Sequence, residues 1–577
     1  MVGRLHCSGF SGFGLSCRPR QTWSLIVPAT TVILVCYTRF VTRIRRNAWL
    51  LAAASGVLQV LIFPEPALYI LSWVALAPLI YAILQCREQD AVLTLAEGGN
   101  FFAPASASQG FLLGYLSGVV WYLGSCYWVF HVMHDYGNLS AATSAVLLVM
   151  FSLYLALYHG LFGLLVALIA RRRNGYSLRA LVFAPFAWVA VELARTYVTG
   201  FPWDLLGTTQ IDNIPLSRIA TFTGVYGLSF EIALVNTAVA AAFLVPRARR
   251  TLLLAASLAA AFILHAGKFV KPARLSGDHG VTLVQSNIPI LDSDAWTLEY
   301  LERTLGELRA LSVPPPAPAG SPPLIIWPES PAPFFVTDLH LRATLGEVAR
   351  STGAFIVVGS MGIAHAGEAG RSPDIYNSAA LVAPNGAWVA RYDKVHLVPF
   401  GEFIPFERLI SFAKTLTREV GTFARGTERT PLNADGVRLG TFICYESVFP
   451  NEVRQFALHG GSVFVNISND GWFGPTGAPR QHLNMARMRA VENDRWLLRA
   501  TNSGITAVID PYGRTVAEAP RNQRTSLKAS YSLIESTTFY TRHGEWFPLL
   551  CAIITLAGVG LRFHEPAEVL QPAPVNR

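Results

Sequence analysis

Residues 440–446 read GTFICYE, a run of apolar and β-branched side chains that ends at Cys444 and is followed by Tyr445 and Glu446. A short apolar run of this kind is typical of a buried strand. Similar runs recur between residues 275 and 535, and amphipathic stretches separate them. Alternating strands and helices predict an α/β domain with helices packed on the faces of its sheets.

The predicted strands of this domain are rich in Val, Ile, Leu and aromatic residues, and they are 281–287, 324–327, 354–359, 378–383, 438–444, 462–467, 497–501 and 506–509. The predicted helices have apolar residues at helical spacing, and they are 298–311, 340–351, 448–458 and 480–493. Loops at strand ends carry the chemistry of many domains of this class. Polar side chains at these ends are therefore candidate site residues.

The rest of the chain has a different composition. Hydrophobic residues make up 52% and charged residues only 14% of the 577 residues, and long apolar runs fill the first 268 positions. A membrane-spanning helix needs about 20 mostly apolar residues. The sequence predicts eight such spans, at 47–63, 67–85, 109–133, 143–170, 181–197, 221–245, 251–268 and 546–562. The chain is therefore predicted to be a multi-pass membrane protein.

Arginine clusters orient these spans. They lie before the first span, after the fourth (171–173) and after the sixth (247–250), whereas the loops around 64–66 and 134–138 contain no lysine or arginine. Because positive loops stay in the cytoplasm, the segment 275–535 is predicted to lie outside it. The apolar segment Trp23–Phe40 would change this parity, and its topology stays open.

These patterns divide the chain into four parts. Residues 1–46 form an N-terminal extension with the unassigned apolar segment, 47–268 a membrane domain of about seven helices, 275–535 an extracytoplasmic domain, and 546–562 a C-terminal transmembrane helix. The net charge of +9 comes largely from the loop clusters. No basic stripe interleaved with aromatic residues is present, so we do not expect nucleic-acid binding.

The seven cysteines contain no CxxC pair, which argues against a disulfide framework or a zinc site. Cys444 is the only one in the α/β domain. Glu329 follows the apolar run 324–327 and a proline, and Lys394 lies in the run YDKVH (392–396). A carboxylate can deprotonate a thiol, and an ammonium can stabilise an oxyanion. Spacing alone leaves open that each is a structural cysteine or a solvated charge.

Longer motifs surround these three residues. They are VQSNIP (284–289), IIWPES (325–330), YDKVHLVPFGEFIP (392–405), ICYE (443–446), ISNDGWFG (467–474), QHLNMARMRA (481–490), LRATNSGITAV (498–508) and, among the spans, TGFPWDLLGTTQ (199–210). In order and spacing they resemble the nitrilase superfamily and, within it, the apolipoprotein N-acyltransferases of bacterial inner membranes. The resemblance covers roughly residues 47–562.

The resemblance implies a nitrilase-like αββα sandwich facing the periplasm above a membrane domain. It also implies a two-step reaction without metal or cofactor. Cys444 takes an acyl chain from a phospholipid, and the thioester is then attacked by the α-amine of a diacylglyceryl-cysteine at the N-terminus of an apolipoprotein. Glu329 would be the general base and Lys394 the oxyanion stabiliser.

The resemblance extends to supporting residues. Glu402 would orient Lys394, while Tyr445 and Glu446 would shape the pocket or contact substrate. Trp296 matches a tryptophan at the mouth of the active site, although the stretch before it is two residues longer here. Trp472 and its neighbour Phe473 would form a lid that meets lipid tails, since aromatic residues favour membrane interfaces.

Two other functions compete with this one. A membrane-tethered amidase or hydrolase of nitrilase type would use the same triad and differ only in letting water attack the thioester. A membrane protein or transporter with a degenerate α/β domain would need no catalyst, but the intact set of Glu329, Lys394 and Cys444 argues against it.

Overall fold

A computed structural model of the chain describes residues 44–86, 103–172, 175–176, 178–245, 249–272, 275–290, 296–315, 322–330, 334–366, 372–403 and 423–564. The apolar segment Trp23–Phe40 lies outside the described residues. The described chain contains a helical part, formed by the elements before residue 269 and after residue 538, and an α/β domain between them.

The α-helices of the helical part are α1 (Arg46–Leu61), α2 (Ser72–Ala75), α3 (Ala77–Leu84), α4 (Ala107–Ser125), α5 (Trp128–His131), α6 (Ala141–Ala170), α7 (Arg179–Ala194), α8 (Ile214–Ser217), α9 (Ala220–Thr223), α10 (Val225–Leu244) and α11 (Arg249–Lys268). Short 3-10 helices cover Tyr69–Leu71 and Leu206–Gln210, and π-helical turns cover Val132–Tyr136 and Arg195–Thr199. Two-residue strands, Arg171–Arg172 and Gly175–Tyr176, pair antiparallel.

Helices lie at all eight predicted spans. Among the described residues, three are long and apolar enough to cross a membrane, namely Ala141–Ala170, Arg179–Thr199 and Val225–Leu244. The pair Ala107–Ser125 and Trp128–Tyr136, bent by 52°, would count as a fourth if it is one span. These long apolar helices are compatible with a membrane domain, while the number of spans stays a prediction.

Glycines allow α4 and α6 to pack with their backbones in contact. A Cβ atom on Gly114 would lie 2.1 Å from the carbonyl oxygen of His159, and one on Gly163 would lie 2.1 Å from that of Gly110. Real Cβ atoms do not approach other atoms so closely. Small residues at a helix interface increase van der Waals contact, which is the main attraction between helices in lipid.

The loop after α7 lies beneath the α/β domain. Helices of the helical part bind the backbone of this loop: Leu206 N–H donates to Glu192 Oε1 of α7 over 2.8 Å, and Gly207 N–H donates to Ser229 Oγ of α10 over 2.8 Å. The loop also binds the α/β domain, because Trp203 Nε1–H donates to Gln481 Oε1 over 2.7 Å. The loop therefore joins the two parts of the molecule.

In the described part of the α/β domain there are twelve strands, and they are β1 (His279–Gln285), β2 (Leu324–Ile326), β3 (Phe355–Ala364), β4 (Asp374–Val382), β5 (Trp388–Asp393), β6 (Leu432–Ala434), β7 (Val437–Ile443), β8 (Val463–Ser468), β9 (Leu497–Thr501), β10 (Ala507–Ile509), β11 (Thr515–Glu518) and β12 (Thr525–Tyr531). Its helices are α12 (Leu298–Leu311), α13 (Leu339–Thr352), α14 (Pro450–Leu458) and α15 (Ala478–Asn493), and the chain then returns through α16 (Phe539–His543) and α17 (Trp546–His564).

The strands form two mixed six-stranded sheets. The order in the first sheet is β12-β1-β2-β3-β4-β5, and the order in the second is β11-β10-β9-β8-β7-β6. The central strands run parallel in both sheets, β1 with β2 and β3, and β7 with β8 and β9. All other neighbours in the two sheets pair antiparallel.

Alternating side chains divide the core into layers. In β1, Val281 and Leu283 face the second sheet, whereas Val284 faces the outer helices α12 and α13. Helices α14 and α15 cover the other face of the second sheet, with Phe456 and Leu483 buried against that sheet. The predicted αββα sandwich is confirmed.

Four strands, β5, β6, β11 and β12, were not predicted from the sequence. All of them lie at or next to the edges of the sheets. β5 and β11 alternate between half-buried and exposed positions, so their side chains include charged and polar residues. They therefore lack the continuous apolar run by which the buried strands were recognised.

Candidate active site

Glu329 lies just beyond the carboxyl end of β2, after Trp327 and Pro328. The indole of Trp327 is buried and donates from Nε1 to Ser312 Oγ over 2.8 Å, which fixes the chain before the glutamate. The carboxylate is only 6% exposed. Its Oε1 accepts from Asn377 Nδ2 over 2.7 Å, and its Oε2 accepts from the backbone N–H of Asn469 over 2.8 Å.

Lys394 follows β5 and is 1% exposed. Its Nζ atom lies 2.9 Å from Glu402 Oε1 and 3.5 Å from Glu329 Oε1. Burial alone would lower the pKa of Lys394, but the two carboxylates outweigh burial and raise that pKa above its usual value. The lysine is therefore an ammonium held between two acids.

Cys444 follows β7 immediately and is partly buried. Its φ of +50° lies in the left-handed region, which residues other than glycine seldom adopt. Burial and the charge of Glu329 raise the pKa of the thiol, and the charge of Lys394 opposes them without reversing the shift. The resting thiol is thus protonated, and it needs a base before it can act as a nucleophile.

The two supporting carboxylates organise the loops around the three residues. Glu402 accepts from Lys394, from Asn377 Nδ2 over 2.7 Å and from the backbone N–H of Val398 over 2.8 Å. Glu446 is 1% exposed and accepts four hydrogen bonds, from the N–H groups of Ile443, Val395 and His396 and from the hydroxyl of Tyr392. It therefore ties the loop of Cys444 to the loop of Lys394.

Tyr445 contacts the helical part. Its hydroxyl donates to the carbonyl of Gly200 over 2.8 Å, and its ring packs on Phe449 and His396. Beside it lies a cleft of about 790 Å³, lined by His396, Phe449 and Glu452 among others. The residue after Cys444 is thus anchored to the loop that joins the two parts.

The two tryptophans lie further out. Trp296 is half-buried before α12, and its ring packs on Tyr300 and on the outer core of the sandwich. Trp472 is 36% exposed and lies edge-on to Tyr136 of the π-helical turn after α5. Its neighbour Phe473 points inward, onto Trp128 and Trp203. Trp472 therefore lies where the α/β domain meets the helical part.

The sequence analysis missed several residues that hold the site together. Asn377 bridges the carboxylates of Glu329 and Glu402, and nothing in its local sequence distinguishes it from a polar strand residue. Asp470 and His482 form a buried pair behind Cys444, with 2.9 Å between Oδ1 and Nδ1. Asp470 lies in the motif ISNDGWFG and His482 in the motif QHLNMARMRA, and these motifs were the sequence signal by which the pair could have been found. Among the described residues, no group of three or more His, Cys, Asp or Glu could hold a metal ion.

Comparison with known protein families gives two matches. Residues 55–238 match the apolipoprotein N-acyltransferase N-terminal domain, and residues 281–537 match the carbon-nitrogen hydrolase domain. The second match covers the two-sheet sandwich.

Similar full-length proteins share both domains. The chain is 36% identical over 530 residues to the apolipoprotein N-acyltransferase of Geobacter metallireducens, covering 90% of this chain and 96% of that protein. It is 35% identical over 490 residues to the one of Methylococcus capsulatus, covering 83% and 92%. For the one of Pseudomonas aeruginosa strain PAO1 the identity is 33% over 459 residues, covering 77% and 85%.

Among solved structures, an amidase of Nesterenkonia sp. is 21% identical and covers 46% of this chain and 96% of its own, with a TM-score of 0.32. A nitrilase-superfamily protein of Saccharomyces cerevisiae is 20% identical and covers 45% and 93%, also with a TM-score of 0.32. The full-length relatives are the informative comparison, because they match the helical part and the α/β domain together. On that basis the chain belongs to the apolipoprotein N-acyltransferase family.

Proposed function

We propose that this protein transfers an acyl chain from a membrane phospholipid, through a thioester on Cys444, to the α-amine of the N-terminal diacylglyceryl-cysteine of apolipoproteins. The observation that carries the proposal is the convergence of Glu329 and Lys394 on one buried site, with Cys444 at the adjoining strand end. The relatives named apolipoprotein N-acyltransferase supply the type of reaction and the acceptor.

In the first half-reaction Glu329 takes the proton of the Cys444 thiol as the sulfur attacks the ester carbonyl carbon of the phospholipid. The carbon–sulfur bond forms, and negative charge moves to the carbonyl oxygen. The Lys394 ammonium stabilises that oxyanion. The ester bond then breaks, and the lysophospholipid alkoxide leaves with the proton that Glu329 returns.

In the second half-reaction the α-amine of the acceptor attacks the thioester carbonyl, and Glu329 takes a proton from the attacking nitrogen. The amide bond forms, the carbon–sulfur bond breaks, and the Cys444 thiolate is reprotonated. Amine and water differ only in which nucleophile reaches the thioester. A site that excludes water and admits the amine therefore makes the enzyme a transferase rather than a hydrolase.

The supporting residues have distinct proposed roles. Glu402 keeps Lys394 charged and in place, and Glu446 keeps the lysine and nucleophile loops together. Tyr445 fixes the nucleophile loop to the helical part. Trp472 lies at the junction with the helical part and is proposed to meet lipid chains, while Trp296 is proposed to border the entrance.

The helical part is proposed to hold the enzyme in the bacterial inner membrane, with the domain 275–535 facing the periplasm. Both substrates carry acyl chains, and each CH₂ moved from lipid into water costs about 0.8 kcal/mol. A soluble enzyme would have to extract them at that cost. An embedded enzyme leaves the chains in the bilayer and admits only the ester and the amine.

The test uses purified protein in lipid nanodiscs with a phospholipid labelled in one acyl chain and a diacylglyceryl peptide. Label is expected first as a hydroxylamine-sensitive adduct on the protein and then as an amide on the peptide. The adduct should be absent in Cys444→Ala, and Cys444→Ser should also fail because a hydroxyl ionises far less readily than a thiol. An adduct that persists in Cys444→Ala would exclude the mechanism.

The same experiment tests the hydrolase alternative. Release of labelled fatty acid without labelled peptide, at the same rate with and without acceptor, would support a hydrolase. A phospholipid that never labels the protein would overturn the choice of donor.

A further inference from the structure

A cluster of charged and polar side chains lies buried behind Cys444. Asp470 accepts from Arg499 through Oδ2 over 2.8 Å and from Ser468 Oγ through Oδ1 over 2.7 Å, and its Oδ1 lies 2.9 Å from His482 Nδ1. The side chains of Asp470, His482 and Arg499 are fully buried. We call these three residues the Asp470 cluster.

The members of the Asp470 cluster shift one another's pKa values. Burial alone would raise the pKa of Asp470, but the neighbouring Arg499 and His482 hold that pKa below its usual range. Burial and the charge of Arg499 lower the pKa of His482. The cluster is therefore a buried ion pair between Asp470 and Arg499, with the imidazole of His482 packed between that pair and the backbone of Cys444.

The imidazole reaches the nucleophile's backbone. His482 Nε2 lies 3.1 Å from the carbonyl oxygen of Cys444 and 2.8 Å from Ser447 Oγ. Cys444 has a left-handed backbone conformation, which costs free energy in a residue with a Cβ atom. Such a conformation persists only where the surroundings impose it. The contact of His482 with the carbonyl oxygen of Cys444 is one such restraint on this conformation.

The same cluster reaches the catalytic base. Ser468 and Asp470 flank Asn469, whose backbone N–H donates to Glu329 Oε2 over 2.8 Å. The side chain of Asn469 is held in turn, because its Oδ1 accepts from Asn502 Nδ2 over 3.0 Å. Asp470 is thus the chain neighbour of the amide that donates to Glu329, and it is held in place by Arg499 and Ser468.

The helical part packs against the imidazole. The ring of Trp203, from the loop beneath the α/β domain, stacks on His482 with 5.7 Å between centroids and 24° between planes. The preceding residue, Gln481, accepts from Trp203 Nε1 and donates to the carbonyls of Pro64 and Ser125, over 2.7 and 3.2 Å. His482 is thus held by both parts of the molecule.

We propose that His482 is a positioning residue, which holds Cys444 and Glu329 in the geometry for thiol attack and makes that geometry depend on the packing of Trp203 from the helical part. This inference rests on the proposed function, since it concerns the first half-reaction. It assigns a role to a histidine that does not touch the reacting atoms.

The experiment measures the single-turnover rate of Cys444 acylation by labelled phospholipid in nanodiscs, with the steady-state kcat and KM. His482→Phe keeps a ring for Trp203 and removes Nε2, so acylation is expected to fall about 100-fold, as for a small misplacement of reacting groups. KM for the phospholipid should stay unchanged. His482→Gln keeps a hydrogen-bonding amide and should recover part of the loss.

Two further variants separate positioning from folding. Trp203→Phe leaves His482 intact and should also slow acylation without a change in KM. Arg218→Met is the matched control, because Arg218 joins the two parts far along the chain from the nucleophile loop, through Asp494, Pro511 and Val270. It should lower the thermal stability and leave the acylation rate of the folded enzyme unchanged.

The outcomes are distinct. If the wild-type enzyme forms the adduct and both His482 variants acylate at its rate, the inference is wrong and the proposed function stands. If the wild-type enzyme forms no adduct, the proposed function fails. If His482→Phe does not fold, an unchanged acylation rate in Trp203→Phe overturns the inference.

Discussion

At the residue scale, the charges around Cys444 have opposite effects on its reactivity. Glu329 raises the pKa of the thiol and is also the group proposed to remove its proton, whereas Lys394 lowers that pKa. The net rise in the pKa of Cys444 keeps the thiol protonated, and a protonated thiol reacts slowly with electrophiles.

This arrangement predicts opposite effects for alkylation and for acyl transfer. In Glu329→Gln the loss of negative charge should lower the Cys444 pKa and speed alkylation by a small neutral reagent at pH 8. Acyl transfer should nevertheless fall by roughly 10²–10⁴, the usual contribution of a general base. Lys394→Met should slow both reactions, because it removes the cation that stabilises the thiolate.

The measurement is the alkylation rate of Cys444 between pH 6 and pH 10, followed by mass spectrometry. The midpoint should lie above that of a free cysteine in the wild-type enzyme and shift downward in Glu329→Gln. Slower alkylation of Glu329→Gln over the whole range would show that the carboxylate does not raise the thiol pKa.

A substitution at Gly359 is predicted to displace Glu329, the proposed base. A Cβ atom there would lie 2.5 Å from the Pro328 oxygen and 2.6 Å from the Cα of Glu329. Gly359→Ala should therefore push the Glu329 loop outward and reduce kcat by about 100-fold with little change in KM. Gly306→Ala, whose Cβ would meet nothing within 4 Å, is the control. Equal kcat values in the two variants would contradict this reading of the contact.

Site residues that follow a strand were easier to predict from the sequence than site residues that lie inside a strand or helix. Glu329 and Cys444 could be named because each follows an apolar run and lies in a family motif, whereas Lys394 follows the unpredicted strand β5 and was named from its motif alone. Asn377 and His482 could not be assigned roles, because their partners lie 48 and 38 residues away. Contacts at such separations depend on sheet order, and local patterns do not contain it.

At the element scale, the contact between α4 and α6 depends on glycine. The Gly114 Cβ position lies 2.1 Å from a backbone oxygen, which cannot move without displacing the helix. Gly114→Ala should force the helices apart and destabilise the protein by about 1–3 kcal/mol, the usual cost of overpacking. Thermal unfolding in detergent measures this cost.

The matched control for Gly114→Ala is Gly560→Ala in α17, where a Cβ atom would meet nothing within 4 Å. Alanine is a better helix former than glycine, so this variant should be neutral or stabilised by up to about 1 kcal/mol. Equal losses in both variants would mean that the close approach of α4 and α6 does not limit stability.

The elements themselves were predictable where a single apolar periodicity runs unbroken from one end to the other. Strand β9 and helix α12 have the predicted bounds, because one apolar pattern covers each whole element. The span predicted at 67–85 is instead broken into a 3-10 turn and two helices, α2 and α3. Hydropathy averages over such breaks, so it predicts that an apolar segment exists but not that it is continuous.

At the scale of the whole molecule, Arg218 joins the helical part to the α/β domain. It is buried, and it donates to Asp494 over 3.1 Å and to the carbonyl of Pro511 over 2.7 Å. Removing one partner of a buried ion pair costs about 3–5 kcal/mol. Arg218→Met should therefore lower the thermal midpoint markedly in detergent.

Arg480→Met provides the comparison. Arg480 pairs with Glu518, but both side chains are about one-third exposed, so solvent screens the pair. Its loss should cost at most about 1 kcal/mol. A similar fall in the thermal midpoint for both variants would show that burial at the junction adds nothing.

The stacking of Trp203 on His482 constrains how the protein can diverge or be recombined. A chimera that takes its α/β domain from one relative and its helices from another would pair a foreign loop with the histidine behind the thiol. Such a hybrid should insert and fold yet turn over poorly, until residues 199–210 are exchanged together with the domain. Residues 199–210 and the α/β domain therefore have to come from the same relative, and a chimera should not be joined at the boundary between the two family domains.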